Sequence, residues 1–313
     1  MNGPNPRRDA APLWLRIIAQ VIRQLPAGRY RLLPYAQKSY DSCFRATLPS
    51  ALGGWSFVCD LRDCISSEVF FTGKYEPQES LLVRNMLRPG MTFVDVGANW
   101  GYFTLIAAGN VGPNGRVISL EPDPRLFALL QENTRINGFT QASAVPVAAA
   151  AISGQLTLAG YRDDGHNWGI SHLLQQGSSA AGPLFQAEAR PIDELMDAMG
   201  VTQVDLIKID IEGAEKLALE GMKDGLRSRR YRRILLELHP EALRERGHDP
   251  VTPLELFREA NYRIWKVDHS LHASRRAAYS RYSRSNDYLS SYTAADSLDS
   301  WPHMLCLAPG VSL

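Results

Sequence analysis

The chain is short of cysteine and lysine, and it carries no excess charge of either sign. Its four cysteines, Cys43, Cys59, Cys64 and Cys306, form no C-x-x-C pair and lie in no histidine-rich spacing. That argues against a structural zinc site, and at 313 residues against a disulfide-built scaffold. They read as reduced thiols of a cytoplasmic protein, with Cys59 and Cys64 the one pair close in sequence. Lysine supplies only six of the 34 basic residues, and 33 acidic residues leave a net charge of +1. General nucleic-acid binders carry a basic excess, and disordered chains combine low hydrophobicity with high net charge. A chain that is 45% hydrophobic and 21% charged is neither. No apolar run reaches the ~18 residues of a membrane span. The nearest candidate, Pro12 to Ile22, is interrupted by Arg16 and Gln20 and is followed by no small-residue cleavage site. It predicts an amphipathic helix packed on the domain, with a helix lying on a membrane surface as the alternative. Internal repeats and long low-complexity tracts are also missing.

What is present is alternation. Residues 1–50 read as helical and loose, broken by Pro26, Pro34 and Pro49. Trp55 to Leu61 and Glu68 to Phe71 predict two short strands after the Gly53-Gly54 turn. Residues 76–88 predict a helix with Leu81, Leu82 and Met86 on one face. From Met91 onward, strands are expected at 92–96, 115–120, 145–147, 204–209, 233–238, 262–267 and 303–308. Helices are expected between them, one opening at Pro124 and stopped by Asn137-Gly138. Such alternation means an α/β fold: an open, doubly wound, seven-stranded, mostly parallel sheet with helices on both faces. Residues 1–75 are expected to form a helical and β-hairpin extension, and 76–313 the main domain. Ligands of such sheets bind beyond the carboxyl ends of the strands, where strand order reverses. Residues 160–190 and 268–300 are candidate lids or substrate loops, and Arg275 to Arg284 is either an anion-binding stretch or a solvated loop.

At the first strand end stands Val94-Asp-Val-Gly-Ala-Asn-Trp-Gly101. A dinucleotide fingerprint needs a second glycine where Asn99 stands, so that a pyrophosphate can approach the backbone. A ligand without phosphate does not need that approach and can still use the bend and the positive helix end. S-adenosylmethionine fits, with a carboxylate for the helix N-terminus, an ammonium for Asp95 and a ribose for an acid. Glu121, at the end of the second strand, stands where an acid accepts hydrogen bonds from both ribose hydroxyls, and Asp123 is near enough to assist around the adenine. A plain tight turn and a solvated strand end are the alternatives.

Strand periodicity puts Lys208, Asp210 and Glu212 on one side at the end of the fourth strand. Burying three such charges is costly unless they pair or serve a site. Glu212 and Glu215 can also be read as helix caps. The fifth strand ends Glu237-Leu-His239-Pro240, where His239 would project from the same carboxyl edge, and histidine as a residue type suits general-base work near neutral pH. A strand-end histidine satisfied by the backbone is the alternative.

At these residues the chain resembles the FkbM family of S-adenosylmethionine-dependent methyltransferases. The stretches that carry the likeness are Gly73-Lys-Tyr-Glu-Pro77, Phe93 to Thr104, Ser119-Leu-Glu-Pro-Asp-Pro124, Asn133 to Gly138, Asp205 to Glu215 and Leu236 to His239. They span about residues 55–240 and leave the first 50 residues and the 270–300 loop uncovered. The resemblance implies a Rossmann-like class I methyltransferase acting on hydroxyl oxygens of natural products or sugars. Carried over by position, Asp95, Gly97, Asn99, Gly101, Glu121 and Asp210 would line the cofactor. Tyr75 and Glu76 would lie over it and Ala148 near the adenine. Asn167, Gly169 and Ser171 resemble a loop facing the acceptor, and His166 and Glu212 are counted with them. Pro191-Ile-Asp193 departs from the family's threonine-leucine-aspartate type of run.

The chemistry so implied aligns acceptor oxygen, methyl carbon and sulfur, and removes the hydroxyl proton. Alignment supplies up to about 7–11 kcal/mol, and a base adds about 10²–10⁴-fold. His239 is the first candidate base and Asp210 the second, followed by His166 and His172. A metal held by Asp210, Glu212 and Glu237 ranks below the metal-free route, because Lys208 supplies a competing charge, so none is expected. The expected partner is a small-molecule acceptor, with no nucleic acid and no membrane span. A homodimer is left open. The rivals are methylation of an amine (using Asp163-Asp164) or a carboxylate, a nicotinamide oxidoreductase, and a non-catalytic S-adenosylmethionine-binding module.

Overall fold

The structure is a computed structural model that describes residues 8–37, 43–160, 172–173, 183–279, 288–293, 296, 298 and 301–313. The strands in chain order are β1 (Cys43–Thr47), β2 (Ser56–Asp60), β3 (Thr92–Val96), β4 (Arg116–Leu120), β5 (Ala142–Val145), β6 (Val147–Ala149), β7 (Gly154–Ala159), β8 (His172–Leu173), β9 (Leu184–Arg190), β10 (Leu206–Ile209), β11 (Arg233–Glu237), β12 (Arg263–Val267), β13 (Leu289–Ser291) and β14 (His303–Leu307). The first six helices are α1 (Leu13–Gln24), α2 (Arg29–Gln37), α3 (Cys64–Thr72), α4 (Pro77–Met86), α5 (Tyr102–Val111) and α6 (Pro124–Ile136).

Among the described residues the main sheet has eight strands in the order β13-β12-β14-β11-β10-β3-β4-β5. The five strands from β11 to β5 are parallel, while β14, β12 and β13 pair antiparallel at one edge. Six of the seven expected strands are present where the sequence puts them, the third is displaced, and β13 is an eighth that the polar Leu289–Ser291 segment did not announce. Chain order runs β3-β4-β5 to one side and β10-β11 to the other, so the reversal falls between β3 and β10. The central strands β3 and β10 are buried on both faces, as apolar runs interrupted only by Thr92, Asp95 and Lys208 lead one to expect.

Two local differences from the sequence reading have clear causes. Glu68 to Phe71 is helical, inside α3, rather than a strand. Asp63 caps that helix by accepting from the Ile65 and Ser66 N–H groups, and Gly73 closes it in the left-handed region. A short apolar run carries no period of its own, and the cap decides it. The partner of β2 is instead β1, antiparallel from Cys43 opposite Asp60 to Thr47 opposite Ser56. The expected third strand at 145–147 is split at Pro146, which has no N–H for a ladder. β5 ends before it in the main sheet, and β6 starts after it in a second sheet of order β6-β9-β7-β8.

Helix α1 buries Leu15, Ala19 and Ile22 and leaves Leu13, Trp14, Ile17, Ile18 and Val21 exposed. Among the described residues no helix is long and apolar enough to cross a membrane. None of the four cysteines forms a disulfide among the described residues.

Candidate functional site

The turn after β3 is built by close approach to its neighbours. The Gly97 and Ala98 N–H groups both donate to the Leu120 carbonyl at 3.0 Å, and Asp210 N–H donates to the Val96 carbonyl at 3.0 Å. This lashes the ends of β3, β4 and β10 together. Gly97 adopts φ +81°, and a Cβ there would overlap the Asp210 carbonyl oxygen. Gly101, at φ +97°, opens α5, and a Cβ there would meet Leu130. Asn99 takes the left-handed region at φ 54°, and its Oδ1 accepts from the Trp100 N–H at 2.6 Å.

A cavity of about 250 Å³ lies against this turn. Gly97, Asn99, Tyr75, Glu121, Ala148 and Asp210 from the sequence reading line it, as does Glu212. Glu121 is 4% exposed. Its Oε2 accepts from the Asn99 N–H and its Oε1 from the Asp123 N–H, each at 2.8 Å, which fixes the carboxyl while leaving each oxygen a further lone pair. Burial pushes its pKa up to about 8 against the pull of those two N–H groups.

Four assigned cofactor residues stand elsewhere: Glu76 lines a second cavity, and Asp95, Asp123 and Gly101 are not in the lining. Asp95 is not among the lining residues: it is buried beneath the turn, accepting from Thr104 Oγ1 at 2.7 Å, and burial raises its pKa to about 6. The Asp123 carboxylate caps α6 through the Arg125 N–H and pairs with the Arg125 side chain at 3.0 Å. Gly101 packs on α6 behind the wall. His166, Asn167, Gly169 and Ser171 lie outside the described residues, as does the side chain of His172.

Lys208 is 3% exposed. Its Nζ lies 2.8 Å from Asp210 Oδ2, 3.8 Å from Glu76 Oε2 and 4.5 Å over the Phe103 ring. Burial disfavours the ammonium, but Asp210, Glu76 and Glu237 outweigh it and hold its pKa above the usual lysine range. Asp210 shows the reverse balance: burial works against its charge, and Lys208 keeps it ionised. Lys208 is the one basic residue among the described lining residues of the cavity, and it is spoken for. With that one cation paired to Asp210, the described lining offers a pyrophosphate no spare positive charge.

A second cavity of about 1200 Å³ adjoins the first, with Tyr75 and Glu68 in both walls. It is lined by Glu76, Glu237, His269 and His303, which the acceptor-side assignments did not include. The missed signal was strand direction. β14 is antiparallel, so its first residue, His303, lies at the carboxyl edge of its parallel neighbour, opposite Glu237. Glu76 reaches this edge from a left-handed backbone at φ 38°, just before Pro77 opens α4.

His239 lines neither cavity and is 6% exposed. Its Nδ1 is 2.7 Å from Glu215 Oε1, and its Nε2 is 3.3 Å from Glu212 Oε2 and 3.7 Å from Glu237 Oε1. Burial favours the neutral ring, but Glu215 and Glu212 outweigh it and raise the pKa to about 9. At neutral pH the ring is an imidazolium among carboxylates, poorly suited to accept a proton.

Residues 95–264 match the family model described as the methyltransferase FkbM domain. The chain belongs to that family. It is 27% identical over 184 residues to the AMB antimetabolite synthetase AmbE of Pseudomonas aeruginosa, a match covering 49% of this chain and 9% of that protein. It is 25% identical to the 2-O-methyltransferase NoeI of Sinorhizobium fredii, over 52% of this chain and 72% of NoeI. It is 28% identical to the 31-O-demethyl-FK506 methyltransferase FkbM of Streptomyces tacrolimicus, over 49% of this chain and 67% of that protein. The chain therefore corresponds to under a tenth of the synthetase and about two thirds of the two smaller FkbM-type relatives.

Proposed function

We propose that this FkbM-family chain is an S-adenosylmethionine-dependent methyltransferase acting on a hydroxyl of a small molecule, a natural product or a sugar. The observation that carries the reading is Glu121: a buried carboxyl at the end of β4, fixed by two backbone N–H groups in the wall of a cavity at the strand-order reversal. When bound, S-adenosylmethionine supplies an activated methyl group. Glu121 accepts from the ribose hydroxyls, and Asp210, kept ionised by Lys208, faces the cationic part of the ligand. Ala148 and Leu158 press on the adenine side, and Tyr75 covers the passage to the second cavity. That larger cavity takes the acceptor.

Asp210 is the residue we assign to receive the hydroxyl proton, since it lines the cofactor cavity whereas His239 does not. His239 acts as a positioning residue between Glu215 and the Glu212-Glu237 wall. Residues 1–75 form the extension, which lends Cys64, Ile65 and Glu68 to the cavity wall, and 76–313 form the methyltransferase domain. Hydroxyl acceptors are favoured over amines because NoeI and the Streptomyces protein are both named for methylation at oxygen.

Calorimetric titration with S-adenosylmethionine and S-adenosylhomocysteine tests the reading. Wild type should bind both, and Glu121→Ala should lose at least tenfold in affinity. Labelled methyl donor then screens hydroxyl against amine acceptors. A wild type that binds neither ligand overturns the proposal, and transfer to amines alone overturns its choice of acceptor.

A further inference from the structure

We propose that Glu76, Glu237 and His303 form a divalent-cation site in the wall of the second cavity. Each offers one ligand atom, and the three atoms lie within 4.8 Å of one another. His303 Nε2 and Glu237 Oε1 are 3.6 Å apart, too far for a hydrogen bond. Two ligands on a divalent ion at ~2.1 Å, spread by a tetrahedral to trigonal angle, stand roughly 3.4–3.6 Å apart. The observed spacing, that of an ion pair without a hydrogen bond, is also wide enough to seat both atoms on one ion.

The surroundings orient the imidazole for this task. His303 Nδ1 is 3.1 Å from Glu79 Oε1, and the Glu79 side chain is fully buried. The same oxygen lies 2.7 Å from His269 Nε2, and the two rings stack with centroids 4.3 Å apart. A carboxylate on one ring nitrogen fixes the tautomer and presents the other nitrogen as a ligand, the usual arrangement around metal-bound histidine. Glu76 supplies an independent observation. Its Oε2 is a buried oxygen without a hydrogen-bond partner, reached from a left-handed backbone that costs on the order of 1–3 kcal/mol to hold. Lys208, 3.8 Å from that oxygen, is turned to Asp210 at 2.8 Å instead.

Three protein ligands leave open positions, and all three residues line the larger cavity. Two carboxylates and one imidazole suit a borderline to hard ion of the manganese or zinc type. The site stands on its own geometry. Resting on the methyltransferase reading, it would also give an acceptor hydroxyl a Lewis acid beside Asp210, lowering the hydroxyl pKa.

The test uses the full chain stripped with a chelator and titrated with manganese chloride, followed by electron paramagnetic resonance. One saturable ion per chain is expected, with nitrogen hyperfine coupling from a single imidazole, a signature that needs no variant. His303→Ala and Glu237→Gln should weaken binding at least tenfold. Glu79→Gln should weaken it about 10–100-fold through the orienting bond. Asp224→Asn, a remote exposed acid, should leave it unchanged. Unsaturable binding, absent nitrogen coupling, or His303→Ala and Glu237→Gln binding within twofold of wild type overturns the site. S-adenosylhomocysteine titration of the same stripped protein separates the two proposals: its failure removes the cofactor reading and leaves the cation result standing.

Discussion

Gly97 abuts the main-chain carbonyl of Asp210 so closely that no side chain fits between them. The two residues follow β3 and β10, the neighbouring strands where chain order reverses, and both line the cavity of about 250 Å³. The close approach puts the Glu121 and Asp210 carboxylates in one small volume.

Gly97→Ala should therefore be severe. The new methyl group would meet the Asp210 carbonyl, and φ +81° is a conformation that alanine resists. Strain and forced separation together should cost about 2–4 kcal/mol. Urea unfolding should show a lower midpoint at unchanged slope, and S-adenosylhomocysteine titration a loss of affinity. A variant with wild-type midpoint and affinity would mean that the strand ends are not packed as described.

If Glu121 holds the ribose as proposed, cofactor binding should depend on pH. Its pKa is pushed up to about 8 by burial, so in the free protein it holds its proton at neutral pH. Ribose hydroxyls donate best to the carboxylate, so binding should expel that proton. Affinity should then rise up to about tenfold per pH unit between roughly pH 6 and 8 and level off above. Glu121→Gln should flatten the profile. The sign for folding is opposite: the native state keeps a proton that the unfolded chain gives up near 4.5, so stability falls as pH rises from there through about 8. Calorimetry in buffers of different ionisation enthalpy would count the released proton, and a count of zero would contradict the assignment.

Much of this site was legible because it is local. β3 and β10 each run into a short turn that carries a glycine, Gly97 and Gly213, and both strands sit where the periodicity put them. The acid at the end of β4 follows from strand direction alone. What escaped the sequence is set by distant pairing. His303 meets Glu237 only because β14 returns antiparallel, and Glu79 reaches His303 from α4. His239 looked like a free base, and the carboxylates of Glu212, Glu215 and Glu237 that enclose it are brought there by the fold. The α3 error was of another kind, an apolar run too short to show a period. The acceptor loop expected at His166 to Ser171 lies outside the described residues.

Lys208→Met should expose how much the buried charges depend on one ammonium. Lys208 and Asp210 are 2.8 Å apart with 4% and 21% of their side chains exposed. Removing one partner of such a pair costs about 3–5 kcal/mol, mostly by orphaning the other charge. In the variant burial should lift the Asp210 pKa, so stability should recover as pH falls and Asp210 takes a proton. Asp210→Asn placed on top should restore part of the loss at pH 8. Urea midpoints at pH 5 and 8 for both variants would decide it, and a Lys208→Met midpoint equal to wild type at pH 8 would refute the coupling.

β2 is held by two asparagines at the end of α6. Asn133, fully buried, donates from Nδ2 to the Trp100 carbonyl at 2.7 Å and accepts the Val58 N–H on Oδ1 at 2.8 Å. Asn137 accepts the Ser56 N–H at 2.8 Å and donates to the Ser56 carbonyl at 2.7 Å. These amides take the place of a neighbouring strand along the edge of β2, and Asn133 also clamps the residue after Asn99 to β2. Asn133→Leu keeps the volume but leaves a buried N–H and a buried carbonyl unpaired, at about 2–4 kcal/mol. Asn137→Ala, in a more exposed position, should cost about 1 kcal/mol. Amide hydrogen exchange should show Val58 losing protection in the first variant and Ser56 in the second. Unchanged exchange at Val58 in Asn133→Leu would mean that β2 is held by its pairing with β1 alone.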